Sequence, residues 1–342
     1  MTDGGLIREL LDYSDWARER LLATALPLAD AALDRPFEMG PGSIRRTMLH
    51  IAEADKAWLE RWERVAQSSF NDDPAGRSLA DIAAHWRSVS ERRRTFLEGA
   101  VAAGRLSEAV SYKNLKGQDY RHPVGELALH TFNHGMHHRS QISNMLRHVG
   151  APLPKPGTDY IFYKRELGRG HAVAPTGASL REYFAYGDWA TDRLLETMQS
   201  IPESSWGRRF EMGVETLPQT LLHILHAEEW WHANATRGPG AAFPSDRDFG
   251  SIETFRRRRD QHRAARDAYF ATLSDADMGT RIVVGESTTG KRFEFPICVI
   301  MLQLCLHGTH HRAQALNMVR HLGGKPPALD YVARMRELEG SA

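Results

Sequence analysis

The 342-residue chain has only two cysteines, Cys298 and Cys305. Two turns apart on one helix, they do not bond to each other, and without CxxC spacing they form neither a disulfide framework nor a thiolate zinc site. A reducing cytoplasm is the expected compartment. Long apolar runs are also missing. The most apolar stretch, residues 297–306, is about half the length of a membrane span and contains Gln303. The N-terminus has no basic region followed by an apolar one; Arg8, Glu9, Asp12 and Asp15 open an amphipathic pattern instead, so no signal peptide is expected. Neither sign of charge dominates, with 44 Lys+Arg against 43 Asp+Glu. That balance gives no ground for a nucleic-acid or membrane-surface partner. Phosphate-binding glycine loops and a Gly-x-Ser-x-Gly elbow are absent as well.

What is present is an ordinary globular composition, 42% hydrophobic and 25% charged, in a chain long enough for about two domains. It is internally repeated. Tyr13, Asp15 and Trp16 recur 173 positions later as Tyr186, Asp188 and Trp189. Phe37-Glu38-Met39-Gly40 recurs as Phe210-Glu211-Met212-Gly213, and Trp58, Ser78, Pro123 and Asn144-Met145 recur as Trp231, Ser251, Pro296 and Asn317-Met318. A constant offset means one domain duplicated in tandem. The boundaries expected are a first domain over 1–167, a Gly/Pro/Ala-rich linker over 168–177 and a second domain over 178–342.

Each repeat reads as helical. Leu6, Leu10, Tyr13, Ala17 and Leu21 mark a first helix. Ser43 is placed to cap a second, which carries Ile44, Met48, Ile51, Trp58 and Trp62. The chain breaks at Asn71-Asp72-Asp73-Pro74. Ser78 with Asp81 forms a capping box for a third helix. A polar stretch around Gly117 suggests a short hairpin. Pro123 suits the first turn of a fourth helix that ends near Gly150. Tails with Asp159-Tyr160 and Asp330-Tyr331 follow. Four long helices per repeat predict an all-α chain of two four-helix bundles.

The chemistry concentrates in histidines. His134 and His138 stand four apart, as do His307 and His311, which puts each pair on one helix face. A third histidine lies far upstream, His50 in one repeat and His223 in the other, and all three matches keep the 173-residue offset. Neutral imidazoles bind Zn, Ni or Fe ions well, and three of them leave a coordination position for water or substrate. A solvated helix face is the bland alternative for a single pair; the double recurrence favours metal. His137 and His310 point away from the pairs and suit either supporting positions or an interface. His130 is one turn before His134, but its counterpart is Gln303, which argues against a ligand. His226 replaces Glu53 beside the second site. Gln141, Gln314, Arg139 and Arg312 suit either a helix surface or a place near the metal. Gly135 and Gly308 occupy the position where a zincin needs Glu as base. The tryptophans, among them Trp189 and Trp230, suit core positions.

The segment Asn133-His134-Gly135-Met136-His137-His138-Arg139-Ser140-Gln141 with a remote Leu49-His50 resembles the DinB family. The second repeat resembles it through Leu222-His223 and His307 to Gln314, and both through their Tyr-x-x-Trp openings. The resemblance implies two tandem DinB-like four-helix bundles forming a pseudo-twofold dimer within one monomeric chain. It implies one divalent metal held by His50, His134 and His138 and another by His223, His307 and His311. Relatives of the family include thiol S-transferases, a mycothiol-dependent maleylpyruvate isomerase and proteins described as metal-dependent hydrolases. Two positions depart from the family's pattern: Ser140 and Ala313 replace its glycine after His-Arg, and Leu306 replaces the Asn at position 133.

The expectation is a cytoplasmic metal-dependent enzyme acting on a small molecule. Its metal would activate water or a low-molecular-weight thiol cosubstrate. The competing expectation is a non-catalytic metal-binding stress-response module. Asp15 and Asp188 are repeat-matched carboxylates, but nothing in the sequence places them at the metal, and no general base is identified.

Overall fold

The computed structural model describes residues 2–66, 68–114, 117–153, 157–167, 174–285 and 292–340. The helices start where short polar side chains can accept from free backbone N–H groups. Asp3 caps α1 (Gly4–Ala25), accepting from Leu6 N at 2.9 Å. A single turn, α2 (Asp30–Leu33), precedes the Phe-Glu-Met-Gly loop. Ser43 caps α3 (Ile44–Glu63), and Ser78 and Asp81 make the capping box of α4 (Leu79–Ala102). The polar stretch folds as an antiparallel hairpin, β1 (Ala109–Lys113) with β2 (Asp119–Pro123), pairing Tyr112 with Tyr120. Pro123 then leads directly into α5 (Val124–His148).

After the short α6 (Tyr160–Leu167) the pattern repeats. Thr176 caps α7 (Gly177–Met198), Thr216 caps α8 (Leu217–Arg237), and Ser251 caps α9 (Ile252–Ala271). Strands β3 (Arg281–Gly285) and β4 (Arg292–Pro296) form the second hairpin, which runs into α10 (Ile297–His321). The chain closes with α11 (Tyr331–Gly340). Both tails expected after the fourth helix thus contain helices. Of the linker expected at 168–177, residues 168–173 lie outside the described residues, and Gly177 is already the first residue of α7.

Two compact units emerge, each a helical bundle. The first comprises Met1–Thr158, Arg165–Val173 and Asp330–Ala342; the second comprises Asp159–Lys164 and Ala174–Leu329. The tail of each repeat therefore contributes residues to the unit formed mainly by the other repeat. In the first unit α3 packs on α4 and α5, and α1 packs on α5 and α4. Leu10, Met48, Ile51, Leu59, Ile82, Leu97 and Leu127 fill its core. Helix α11 seats on α5, with His122 Nε2 3.1 Å from Glu339 and Arg336 donating to Tyr112. In the second unit α10 packs on α7 and α8 around Tyr183, Leu194, Leu221, Leu225, Met301 and Met318.

Opening tyrosines tie down the tails. Tyr13 donates to the Thr158 carbonyl at 2.8 Å and Tyr186 to that of Leu329 at 2.7 Å. Each accepting residue immediately precedes an Asp-Tyr pair, which explains why the two ends of the repeat share a pattern. Among the described residues no helix is long and apolar enough to cross a membrane. Cys298 and Cys305 are buried, and neither is in a disulfide.

Candidate metal centres

Helix α5 sets His134 and His138 one turn apart, their ring centroids separated by 4.5 Å. Helix α3 packs alongside and brings His50 to 5.2 Å from His134 and 4.7 Å from His138. In the second unit α10 and α8 repeat the arrangement. There His307 and His311 are 4.4 Å apart, and His223 lies 5.0 and 4.6 Å from them. Each trio offers three ring nitrogens within 4.8 Å of one another. All six histidines read from the sequence are thereby brought together, three and three. Leu306 does not disturb the second trio: it is buried, as is Asn133, whose amide bonds the Leu129 carbonyl in its own helix.

Whether the residues fit a cation turns on where the nitrogens point. His50 Nε2 and His134 Nε2 are 3.3 Å apart. Two nitrogens bound to one zinc ion at about 2.0–2.1 Å in tetrahedral geometry sit roughly that far from each other. The opposite nitrogens of His50 and His138 are occupied. His50 Nδ1 donates to Asp72 Oδ2 at 2.9 Å, and His138 Nδ1 donates to Gln141 Oε1 at 2.8 Å. Gln141 Nε2 in turn donates to His137 Nε2 at 2.9 Å. In the second unit His311 Nδ1 donates to Gln314 Oε1 at 2.8 Å, and Gln314 donates to His310 at 3.1 Å. Such partners fix the tautomer with Nε2 unprotonated, the form a metal requires. Both ring nitrogens of His307 are buried without a hydrogen-bond partner, as befits a group built for another kind of ligand. The donor set and its orientation fit a divalent cation.

Electrostatics agree. Burial, and then the neighbouring imidazoles, push His134, His138 and His311 well below the ordinary histidine pKa and bring His223 to about 4. The rings are held neutral at pH 7, as ligands must be. Burial raises Asp72, but the His50 and Arg46 hydrogen bonds outweigh it and keep its carboxylate charged.

Gln141 and Gln314 therefore support the trios, as do His137 and His310. The arginines do not. Arg139 is buried with its guanidinium 5.6 Å from the Tyr13 ring, and Arg312 lies 5.9 Å from Tyr186. Gly135 and Gly308 make room for them: a Cβ there would sit 3.0 and 2.8 Å from their Nη1 atoms. His130 stays outside the trio, packed on Trp58 with ring centroids 5.1 Å apart. His226 has its Nε2 3.4 Å from Asp246 and is not part of the second trio, though its charge helps lower the His223 pKa. Asp15 pairs with Arg18 and Arg94, and Asp188 with Arg266, so neither serves the centres. Trp62 and Trp231 are core residues.

Several supporting residues escaped the sequence reading. Asp72 reads there only as part of a chain break, and its counterpart at the repeat offset is Ser245. Asp159 approaches His307 Nδ1 at 3.7 Å and belongs to the same compact unit. Burial raises its pKa, but the neighbouring His307, His310 and His223 imidazoles outweigh that and bring it down to about 2. Gly40 and Gly213 take φ of +51° and +56° and press their backbones against the supporting glutamines. A Cβ on Gly213 would lie 2.6 Å from Gln314 Oε1, and one on Gly40 would collide with Gln141 Oε1. The recurrence of Phe-Glu-Met-Gly carried that signal.

Tandem helical bundles, each bringing the ring nitrogens of three histidines together, define a class of proteins suited to holding a metal. The DinB family model matches residues 1–170 and again 175–339, and the chain belongs to the DinB family, as two tandem copies. It is similar to protein DinB of Bacillus subtilis (strain 168), with 24% identity over 163 residues, 45% of this chain and 91% of that protein. Among solved structures it is similar to a DinB-like protein from Bacillus cereus ATCC 10987, at 21% identity and a TM-score of 0.34, over 42% of this chain and 93% of that one.

Proposed function

We propose that the protein is a metal-dependent enzyme acting on a small molecule, with one divalent ion (zinc, nickel or iron) held by His50, His134 and His138 and another by His223, His307 and His311. The observation that carries the proposal is the three-nitrogen convergence with the opposite ring nitrogens of His50, His138 and His311 already bonded. Among the described residues the sets that could hold a metal consist of three histidines, with no carboxylate or thiolate completing them. Structural zinc sites close all four positions with protein ligands, whereas catalytic ones leave a position open. When bound, the ion would supply Lewis acidity to a water or to a low-molecular-weight thiol. The chain's own part is to aim the His50, His138 and His311 imidazoles through Asp72, Gln141 and Gln314, and to keep those of His134, His138, His223 and His311 neutral by burial. Cys305 is not the nucleophile: burial pushes its thiol well above the ordinary range. The compartment proposed is the cytoplasm, and the chain is proposed to act as a monomer.

A non-catalytic role, with the ion pinning helices together, fits less well. Met48, Leu49 and Ile51 on α3 and Leu127, Phe132 and Ile142 on α5 are buried, which gives these helices an apolar interface besides the histidines. Chelation separates the two roles. The enzyme reading expects metal removal to abolish turnover of an electrophilic substrate, found by screening small thiols and esters, while the helical signal persists. A chelated protein that melts, and a loaded protein whose coordination is closed, would overturn it.

A further inference from the structure

Each centre has an aromatic ring beside it from the loop after its histidine-bearing helix, and the two rings hold matching places. Phe70 lies 5.5 Å from the His50 ring, nearly edge-on at 78°. Phe243, 173 positions later, lies 6.1 Å from the His223 ring. Neither is a core residue: Phe70 is 48% exposed, and Phe243 is half-buried. An exposed aromatic ring is ordinary by itself; a repeated one, fixed in place beside a candidate ion site, is not.

The loops are anchored on both sides of each ring. Before Phe70, the Ser68 backbone and hydroxyl both donate to Glu60, at 2.9 and 2.8 Å. After it, Asp72 holds His50 and also accepts from Arg46 at 3.1 Å. Around Phe243, Trp230 Nε1 donates to the Ala241 carbonyl at 2.8 Å, and Asp246 pairs with Arg258 and His226. Polar contacts thus anchor the loop on either side of each ring. The His50 side chain is 22% exposed, so solvent reaches this centre on the ring that Phe70 lies beside. In the second unit Phe243 also packs on Trp230 at 6.0 Å and on His226 at 6.1 Å, which makes a deeper aromatic wall.

We infer that Phe70 and Phe243 form an apolar subsite beside each centre, and that the ligand class is a small molecule with a metal-binding head group and a flat apolar group next to it. Ligand sites of this kind combine a few fixed polar groups with an apolar lining that favours rings. The inference rests on the metal reading above. The wider wall at Phe243 gives the second centre the stronger preference for a ring.

Hydroxamates test this directly, because benzohydroxamate and acetohydroxamate share a head group and differ in the ring. Both are titrated into cobalt(II)-loaded wild type, a Phe70→Ala/Phe243→Ala double variant and a Phe70→Tyr/Phe243→Tyr double variant, with the visible cobalt spectrum as readout. The expected result is a benzohydroxamate preference on the order of tenfold in wild type, retained with Tyr and falling to near one with Ala. An unchanged preference in the Ala variant, or none in wild type, with cobalt still bound, overturns the subsite and leaves the metal reading standing. Failure of wild type to bind cobalt overturns both.

Discussion

Asp72 Oδ2 accepts a hydrogen bond from His50 Nδ1 at 2.9 Å, and the counterpart of Asp72 in the second unit is Ser245. The next carboxylate, Asp246, is engaged with His226 and Arg258. Among the described residues the two centres therefore differ in the charge standing behind their upstream histidine.

A carboxylate behind a ligating imidazole typically improves metal affinity by about 10–100-fold. Asp72→Asn is expected to weaken the first centre within that range and leave the second unchanged. Competition titration with a chromophoric chelator reads both affinities in one experiment. Equal weakening of both centres, or of neither, would count against the role given to Asp72.

Gly40 and Gly76 separate backbone conformation from close approach. Both have positive φ, +51° and +73°, but no atom lies within 4 Å of a Cβ built on Gly76. Gly76→Ala should cost about 1–2 kcal/mol, the ordinary penalty for a side chain in the left-handed region. Gly40→Ala should cost more and also lower metal affinity, because the new methyl displaces Gln141 from His138. Urea unfolding and metal titration of the two variants make the comparison; identical effects on both measurements would refute the clamp.

His262 offers a pH test away from the centres. Burial, followed by the charges of His232 and Arg266, lowers its pKa from 6.5 to about 4. The unfolded chain takes up a proton there between those values and the folded chain does not, so stability falls as pH drops from about 6.5 towards 4. The shift corresponds to at most about 3 kcal/mol at the acid end. At the matching position the first unit has Val89, buried. His262→Val is therefore expected to flatten that part of the stability profile, measured by urea unfolding at pH 7 and pH 4.5. A variant with the wild-type slope would contradict it.

Much of this was legible from residue spacing. The offset of 173 exposed the duplication, Ser43 and Ser78 announced their helices, and the i,i+4 histidines with His50 and His223 named both trios. The supporting shell was less legible because much of it is not repeated. Asp72 has Ser245 opposite it, and Asp159 has its counterpart Asp330 displaced by two positions. Comparing the repeats favours what they share and discards what distinguishes them. The exchange of tail segments was hidden for another reason: a hydrophobic pattern shows that Tyr160 and Tyr331 will be buried, not which bundle buries them.

Metal content per chain tests the central claim most directly. Elemental analysis of protein loaded with one divalent metal and freed of excess is expected to give about two ions per chain, about one in His50→Ala and in His223→Ala, and none in the double variant. Wild type without bound metal, or variants that keep the wild-type content, would contradict it.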